Sequence, residues 1–456
     1  MKRDSIASAA RILARRLDEL GRVSDEPDRL TRTFLSPAMA QANRLVGGWM
    51  RQAGLTVRED QVGNLVGRWE PEGGPAGAPV EQANSAINRK SKTLLLGSHL
   101  DTVGNAGRFD GALGVVLPIM ALEEVRRRRE QLPFAVEILG FSEEEAVRFA
   151  DAYIGSKAYA GQLRAADLKL RDTRGATLRE VIEAHAGKKI VLPKSAHRSA
   201  DLLGYIEVHI EQGPVLEAEN LGVGVVSGIA SQIRGRLIFR GKAGHAGTTP
   251  MHLREDALAG AAEFLLFAET FARAHSPLVA TVGMITVPSG AANVIAGEAV
   301  ISLDVRHPID GTCRRSLVQL IARAQKIARR RKLSCEWQQT MQHVATRCSS
   351  ELTTLLHESV SAVQGRSFGL ASGAGHDAVV MAKLTPIAML FVRCRGGLSH
   401  HPDEYASRVD LAAALRVVVD FIERLAAKIS RDAAGSDSAT SGFSKPGRRP
   451  ARRQSK

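Results

Sequence analysis

Metal-binding and proton-moving side chains gather in this chain where apolar runs end. In "LLLGSHLDTVGNAGRFDGALGV", Leu94 to Val115, a strand-like run stops at Ser98-His99-Leu100-Asp101, and a glycine-punctuated loop then presents Asp110. The run "VEILGFS" ends in Glu143-Glu144-Glu145, "YIEVHIEQGP" carries His209 and Gln212, and "RGGLSHHPDE" carries His400. Sites in open α/β sheets form just past the carboxyl ends of the strands, and these groups occupy that place repeatedly. Several histidines with several carboxylates make the ligand set of borderline divalent ions such as Zn²⁺ or Mn²⁺. Asp101 lies two residues beyond His99 on the same strand face, so its carboxylate is placed to orient the free ring nitrogen of His99.

The elements that must hold these groups follow from the pattern of the chain. "TLLLGSHL" reads as a buried strand, "GALGVVLPIMALEEVRRRRE" as a helix and "PFAVEILGFSEEE" as a second strand, which suggests a parallel sheet covered by helices. "LTVREDQVGNLVGRWE" alternates like a strand pair broken at Gly63-Asn64, and Pro71 to Lys92 reads as a loose loop or insertion. The middle of the chain changes style to a β-α-β-β-α-β series of ferredoxin-like type. The simplest account is one α/β domain, residues 1–214 and 342–430, interrupted by a small α+β domain at 215–341.

Composition narrows the function. The chain has 456 residues, enough for two domains, and 44% hydrophobic content is that of a globular protein. Aromatic residues make up only 4%, which argues against a stacking surface for single-stranded nucleic acid. The net charge is +14, but residues 431–456 carry seven Lys/Arg against two Asp, so a basic tail that reads as structureless supplies +5 of it. Nucleic acid is therefore an unfavoured partner. Four scattered cysteines without a CxxC pair fit a reducing compartment, and no apolar run is long enough for a membrane span. The arginine-rich start contains Asp18 and Glu19 and reads as an ordinary first helix, so a cytoplasmic location is expected.

Taken together, "GSHLDTV", "GRFDGALGV", "FSEEEAVRF", "EVHIEQGPVLE", "GKAGHAGTTPM", "ANVIAG", "LDVRHP", "SGAGHDA" and "RGGLSHHPDE" occur in one order. In that order the chain resembles the amidase/hydantoinase/carbamoylase branch of the dinuclear-metal aminoacylase and carboxypeptidase clan, which includes allantoate amidohydrolases and N-carbamoyl-L-amino-acid hydrolases. The resemblance implies a mixed-sheet catalytic domain interrupted by a ferredoxin-like lid and dimerisation domain. It implies two divalent ions per subunit, Mn²⁺ or Zn²⁺, with Asp110 bridging, His99 and His209 on one ion, and Glu145 and His400 on the other. Glu144 would be the general base. His245, Asn293 and Arg306 of the lid would reach the site across a homodimer interface. Gln212, Gly375 and His376 are further candidate substrate contacts, while Glu143, His252 and His401 fall outside the set.

The implied reaction is hydrolysis of a ureido C–N bond in a small carboxylate. Allantoate is the first choice, N-carbamoyl-L-amino acids (the β-alanine precursor among them) the close rival and a dipeptide a weaker one. A metal-loaded, non-catalytic binding module is the alternative of a different class, and retention of Glu144 argues against it. Two departures from the family pattern stand out: Ala146 replaces a glycine after the paired glutamates, and Ala296 replaces a proline. If Ala146 has a positive φ, its methyl group is a local burden.

Overall fold

Four near-continuous apolar runs form the centre of a nine-stranded mixed sheet in the computed structural model, which describes residues 3–71, 91–128, 131–195 and 197–440. Ala135–Phe141, Thr93–His99, Leu202–Ile210 and Ile387–Val392 lie side by side, all parallel. Every residue of Thr93–His99 and of Ala135–Phe141 is buried, as expected for strands covered on both faces. Antiparallel strands flank them. Thr56–Glu59 and Leu65–Trp69 form the expected pair beside Ala135–Phe141, and Val223–Ile229 joins the far side of Ile387–Val392.

Helices Arg3–Leu20, Ala112–Arg127, Ser350–Gln364 and Arg408–Thr440 contribute to the apolar core on one face. A second core, including Leu95, Phe141, Tyr153, Tyr205 and Met389, fills the other. Parallel strands necessarily bring their carboxyl ends to one edge. That edge carries His99, the loop after Phe141, His209 and the loop after Val392.

The second sheet is five-stranded and contains Ser231–Arg240, Glu298–His307 and Ser334–His343, with helices Ala257–Ala274 and Asp310–Arg330. The segments Ile285–Thr286, Glu298–His307, Ser231–Arg240 and Ser334–His343 neighbour one another in that order, all antiparallel. This is the ferredoxin-like arrangement read from the sequence.

Its limits differ from those expected. Val223–Ile229 pairs in the large sheet, so the small sheet begins at Ser231 and not near 215. Alternation along "VGVVSGI" looks the same in either sheet, and pairing partners decide the matter. The expected structureless tail also starts too early. The last helix continues through 431–440, because extending a packed helix needs no new nucleation. Residues 441–456 and most of the Pro71 to Lys92 insertion lie outside the described residues. No helix among the described residues is long and apolar enough to cross a membrane.

Candidate metal centre

Asp110 is the hub. Its Oδ1 lies 3.4 Å from His99 Nε2 and 3.2 Å from His209 Nε2, while Oδ2 lies 3.5 Å from His400 Nε2. His400 Nε2 is in turn 3.4 Å from Glu145 Oε1. Three overlapping groups each bring their ligand atoms within 4.8 Å of one another: His99, Asp110 and His209; His99, Glu144 and Glu145; Asp110, Glu145 and His400. One carboxylate thus faces two sets of ligands through its two oxygens.

Local structure fixes the histidines. His99 Nδ1 donates to the Asp101 backbone carbonyl at 3.0 Å, and His209 Nδ1 donates to the Ile210 carbonyl at 2.9 Å. Those bonds make each Nδ1 a donor and turn each Nε2 towards Asp110. Gly111 follows the hub with φ 63°, and a Cβ there would come within 2.4 Å of the His99 ring. Only glycine lets the loop turn so closely over His99.

Asp101 therefore works differently from the expectation. Its carboxylate is 3.6 Å from His99 Nδ1, beyond a hydrogen bond, and the backbone carbonyl takes the ring proton. The carboxylate instead accepts the N–H of Glu144 and of Glu145, both at 3.1 Å. It ties the strand end of His99 to the loop of paired glutamates. Glu143 braces that loop from within: it is fully buried and accepts the N–H of Arg148 at 2.8 Å and of Phe149 at 2.9 Å. Ala146 does adopt a positive φ, 56°.

Three further residues grip the hub. Glu404 Oε1 accepts the N–H of Phe109 at 2.8 Å and of Asp110 at 3.0 Å. Ser399 Oγ donates to Asp110 Oδ2 at 2.6 Å, and Gln212 Nε2 donates to the same oxygen at 2.8 Å. Gln212 thus holds the hub carboxylate, with Oε1 buried and unpartnered. Ser399 and Glu404 fall inside the motif "RGGLSHHPDE", and their closeness to His400 is the sequence signal for them.

Electrostatics test whether cations suit this cluster. Burial pushes Glu145 up to about 8, with the Asp110 and Asp101 carboxylates adding to the effect. Burial also raises Glu144 well above the usual carboxylate range, and Glu145 and Asp377 add to it. Burial opposes ionisation of Asp110 too, yet His209 and His99 outweigh it and hold this carboxyl well below its usual range. Buried carboxylates crowded together with lone pairs converging need positive charge among them. The donor set fits divalent metal ions of the Zn²⁺ or Mn²⁺ type.

The remaining candidates divide. Arg306 is held by both oxygens of Asp304 at 2.9 and 3.0 Å and donates to the Gly373 carbonyl of its own chain. His245 and Asn293 sit together on an exposed two-stranded ribbon, Gly244–His245 with Val294–Ile295. No hydrogen bond or ion pair links either to the cluster among the described residues. His376 is buried, bonds Ser372 Oγ through Nε2 at 2.8 Å and packs edge-on against His209 with centroids 4.6 Å apart. It supports a histidine of the cluster from behind. Gly375 lies against the Tyr153 hydroxyl.

A parallel sheet whose strand ends gather histidines, carboxylates and a buried spare glutamate has the layout of a metal-dependent hydrolase. The chain belongs to peptidase family M20/M25/M40, whose profile matches residues 95–424. It is 39% identical to a probable allantoate deiminase of Oryza sativa subsp. japonica, over 93% of this chain and 90% of that protein. It is 35% identical to an N-carbamoyl-L-amino-acid amidohydrolase of a Pseudomonas strain, over 90% and 96%. Among solved structures, a hydantoinase/carbamoylase family amidase from Burkholderia multivorans matches with TM-score 0.82 and 29% identity, over 91% and 98%. The chain is a hydrolase of C–N bonds.

Proposed function

We propose that this enzyme hydrolyses a ureido C–N bond of a small carboxylate, and that the substrate is allantoate. The observation that carries the mechanism is the divided geometry of Asp110, with two histidines at one oxygen and a third beside the other. In this reading His99, Asp110 and His209 hold one divalent ion, and Asp110, Glu145 and His400 hold a second, Mn²⁺ or Zn²⁺. When bound, such ions polarise the scissile carbonyl and make a water acidic enough to attack near neutral pH.

The chain's own residues do the rest. Glu144, next to the ligand Glu145 and with its N–H fixed by Asp101, accepts the proton of the attacking water. It then returns that proton to the departing nitrogen. Arg306, aligned by both oxygens of Asp304 and lying against the Gly373 loop of the same chain, supplies the positive charge that attracts the substrate carboxylate. His245 and Asn293, exposed on their ribbon, complete the site of a second copy in a homodimer, where His245 donates to the oxygen that becomes negative.

Support for allantoate comes from the likeness to plant proteins named allantoate deiminase, 37% identical in Arabidopsis thaliana over 90% of this chain. The N-carbamoyl-L-amino-acid hydrolases, at 35%, supply the second reading. Ammonia release from Mn²⁺-loaded protein offered allantoate and several N-carbamoyl-L-amino acids decides between them, with Glu144→Gln as the blank. Turnover of allantoate alone, lost in the blank, supports the first. Turnover of carbamoyl amino acids alone moves the enzyme to the second.

A further inference from the structure

Tyr153 belongs to no motif singled out in the sequence, yet it closes the loop that carries Glu144 and Glu145. Ile154 N–H bonds the Glu143 carbonyl at 3.1 Å and Gly155 N–H bonds the Ser142 carbonyl at 2.9 Å, so the loop returns to its origin at this residue. Tyr153 itself has φ 69° and ψ 26°, a left-handed conformation uncommon for a bulky side chain. Such a conformation persists where the surroundings enforce it and is concentrated at functional sites.

The ring is packed in the second core and only 8% of the residue is exposed. Its hydroxyl makes no hydrogen bond among the described residues and is not one of the fully buried polar atoms, so a ligand can reach it. The hydroxyl reaches across to the Gly375 turn, where a Cβ would lie 2.0 Å from the phenolic oxygen. Gly375 thus leaves room for this oxygen. Burial holds the phenol protonated well above its ordinary range, and the carboxylate acting on it most strongly is Glu144. Gly375 precedes His376, whose ring packs on His209 with centroids 4.6 Å apart, so the turn that receives this hydroxyl borders the cluster, and the protein supplies the phenol no acceptor among the described residues.

We infer that Tyr153 is a further catalytic residue, whose hydroxyl donates a hydrogen bond to the ureido oxygen as the carbonyl becomes tetrahedral between Glu144 and the Gly375 turn. The inference rests on the ureido-hydrolase reading above. Arg306 approaches the same loop at Gly373, so the distal carboxylate and the reacting carbonyl are served by different donors.

The test compares wild type with Tyr153→Phe, which keeps the ring, with Gly375→Ala, which displaces the hydroxyl, and with the double variant. Loss of one such donor lowers kcat by about 100-fold, and KM stays within about threefold because the bond strengthens only as charge develops. Metal content per chain and thermal midpoint match wild type in Tyr153→Phe. The double variant is no slower than the slower single one, since both act on one hydroxyl. An undiminished kcat, a rise in KM alone, or a fall in kcat that tracks lost metal or stability overturns the role. Wild-type turnover of dipeptides but not of ureido acids sinks the substrate reading instead, and Tyr153 is then judged on the peptide. Silence of metal-loaded wild type on all of them overturns both.

Discussion

Glu404 accepts the backbone N–H of Asp110 at 3.0 Å across 294 residues of sequence. The same oxygen takes the N–H of Phe109, and the other faces Ser399 Oγ at 3.3 Å. One carboxylate therefore staples the loop of the hub residue to the loop of His400. Burial and the adjacent Asp110 push Glu404 up to about 7. A Cβ on Gly107 would lie 2.3 Å from Glu404, so the two loops also fit sterically.

Glu404→Ala is expected to weaken metal binding by about 10- to 100-fold, the usual loss when an outer partner of a ligand is removed. Competition with a chromogenic chelator measures it. Because the staple serves both sides of Asp110, the two ions of the proposed centre should loosen together. Selective loss of one, or unchanged affinity, counts against the coupling.

Much of this site is legible in the chain because strand ends are legible. Four apolar runs followed by polar groups mark the carboxyl edge, and parallel pairing does the rest. The work of Asp101 was not legible, because a spacing of two predicts the face but not whether carbonyl or carboxylate meets the ring. Tyr153 and Gly375 are 222 residues apart, and no local pattern ties a phenol to a turn glycine at that range. The start of the small sheet is hidden for a related reason: Val223–Ile229 and Ser231–Arg240 are consecutive strands, and only their partners assign them to different sheets.

Ala146 carries a cost of a different kind. Its φ of 56° places a methyl group in the left-handed region, worth about 1–2 kcal/mol of strain. Glycine removes the strain but adds about 0.5–1 kcal/mol of unfolded-state freedom. Ala146→Gly is therefore expected to stabilise the protein by roughly 0.5 kcal/mol, measured by urea unfolding. The Glu145 N–H bond to Asp101 precedes this residue and is not altered, so metal affinity should hold. Destabilisation would mean that the loop absorbs the methyl group without strain.

The placement of His245 and Asn293 sets up a complementation experiment. Each of Glu144→Gln and His245→Ala should be nearly inactive alone. If His245 serves the partner's site, a mixed dimer has one site with both residues intact. Random exchange of equal amounts then restores about a quarter of wild-type turnover, because half of the dimers are mixed and each has one good site. Arg306 behaves otherwise: it touches Gly373 of its own chain, and a mixture of Arg306→Ala with Glu144→Gln should stay silent. Recovery in that mixture would place Arg306 across the interface as well.

Glu137, in the strand Ala135–Phe141, provides a test of acid stability. It is buried, with Arg68 Nη1 at 2.9 Å, Tyr159 Oη at 2.6 Å and His197 Nε2 at 3.2 Å. Burial alone would raise it, but His197 and Arg68, with the Tyr159 hydroxyl, bring its carboxyl down to about 2 from an ordinary 4.5. The folded form is then the stronger acid, so the unfolded chain binds more protons in this window. The contribution is fully present above pH 4.5 and is lost as pH falls through about 2, with a size on the order of 3 kcal/mol. Glu137→Gln should be less stable at neutral pH, and the gap to wild type should narrow steadily between those limits. Urea unfolding of both proteins at a series of pH values, with chelator present so that metal release does not contribute, measures the gap. A gap that stays constant with pH would show that Glu137 supports the fold through packing and hydrogen bonds that do not depend on its charge.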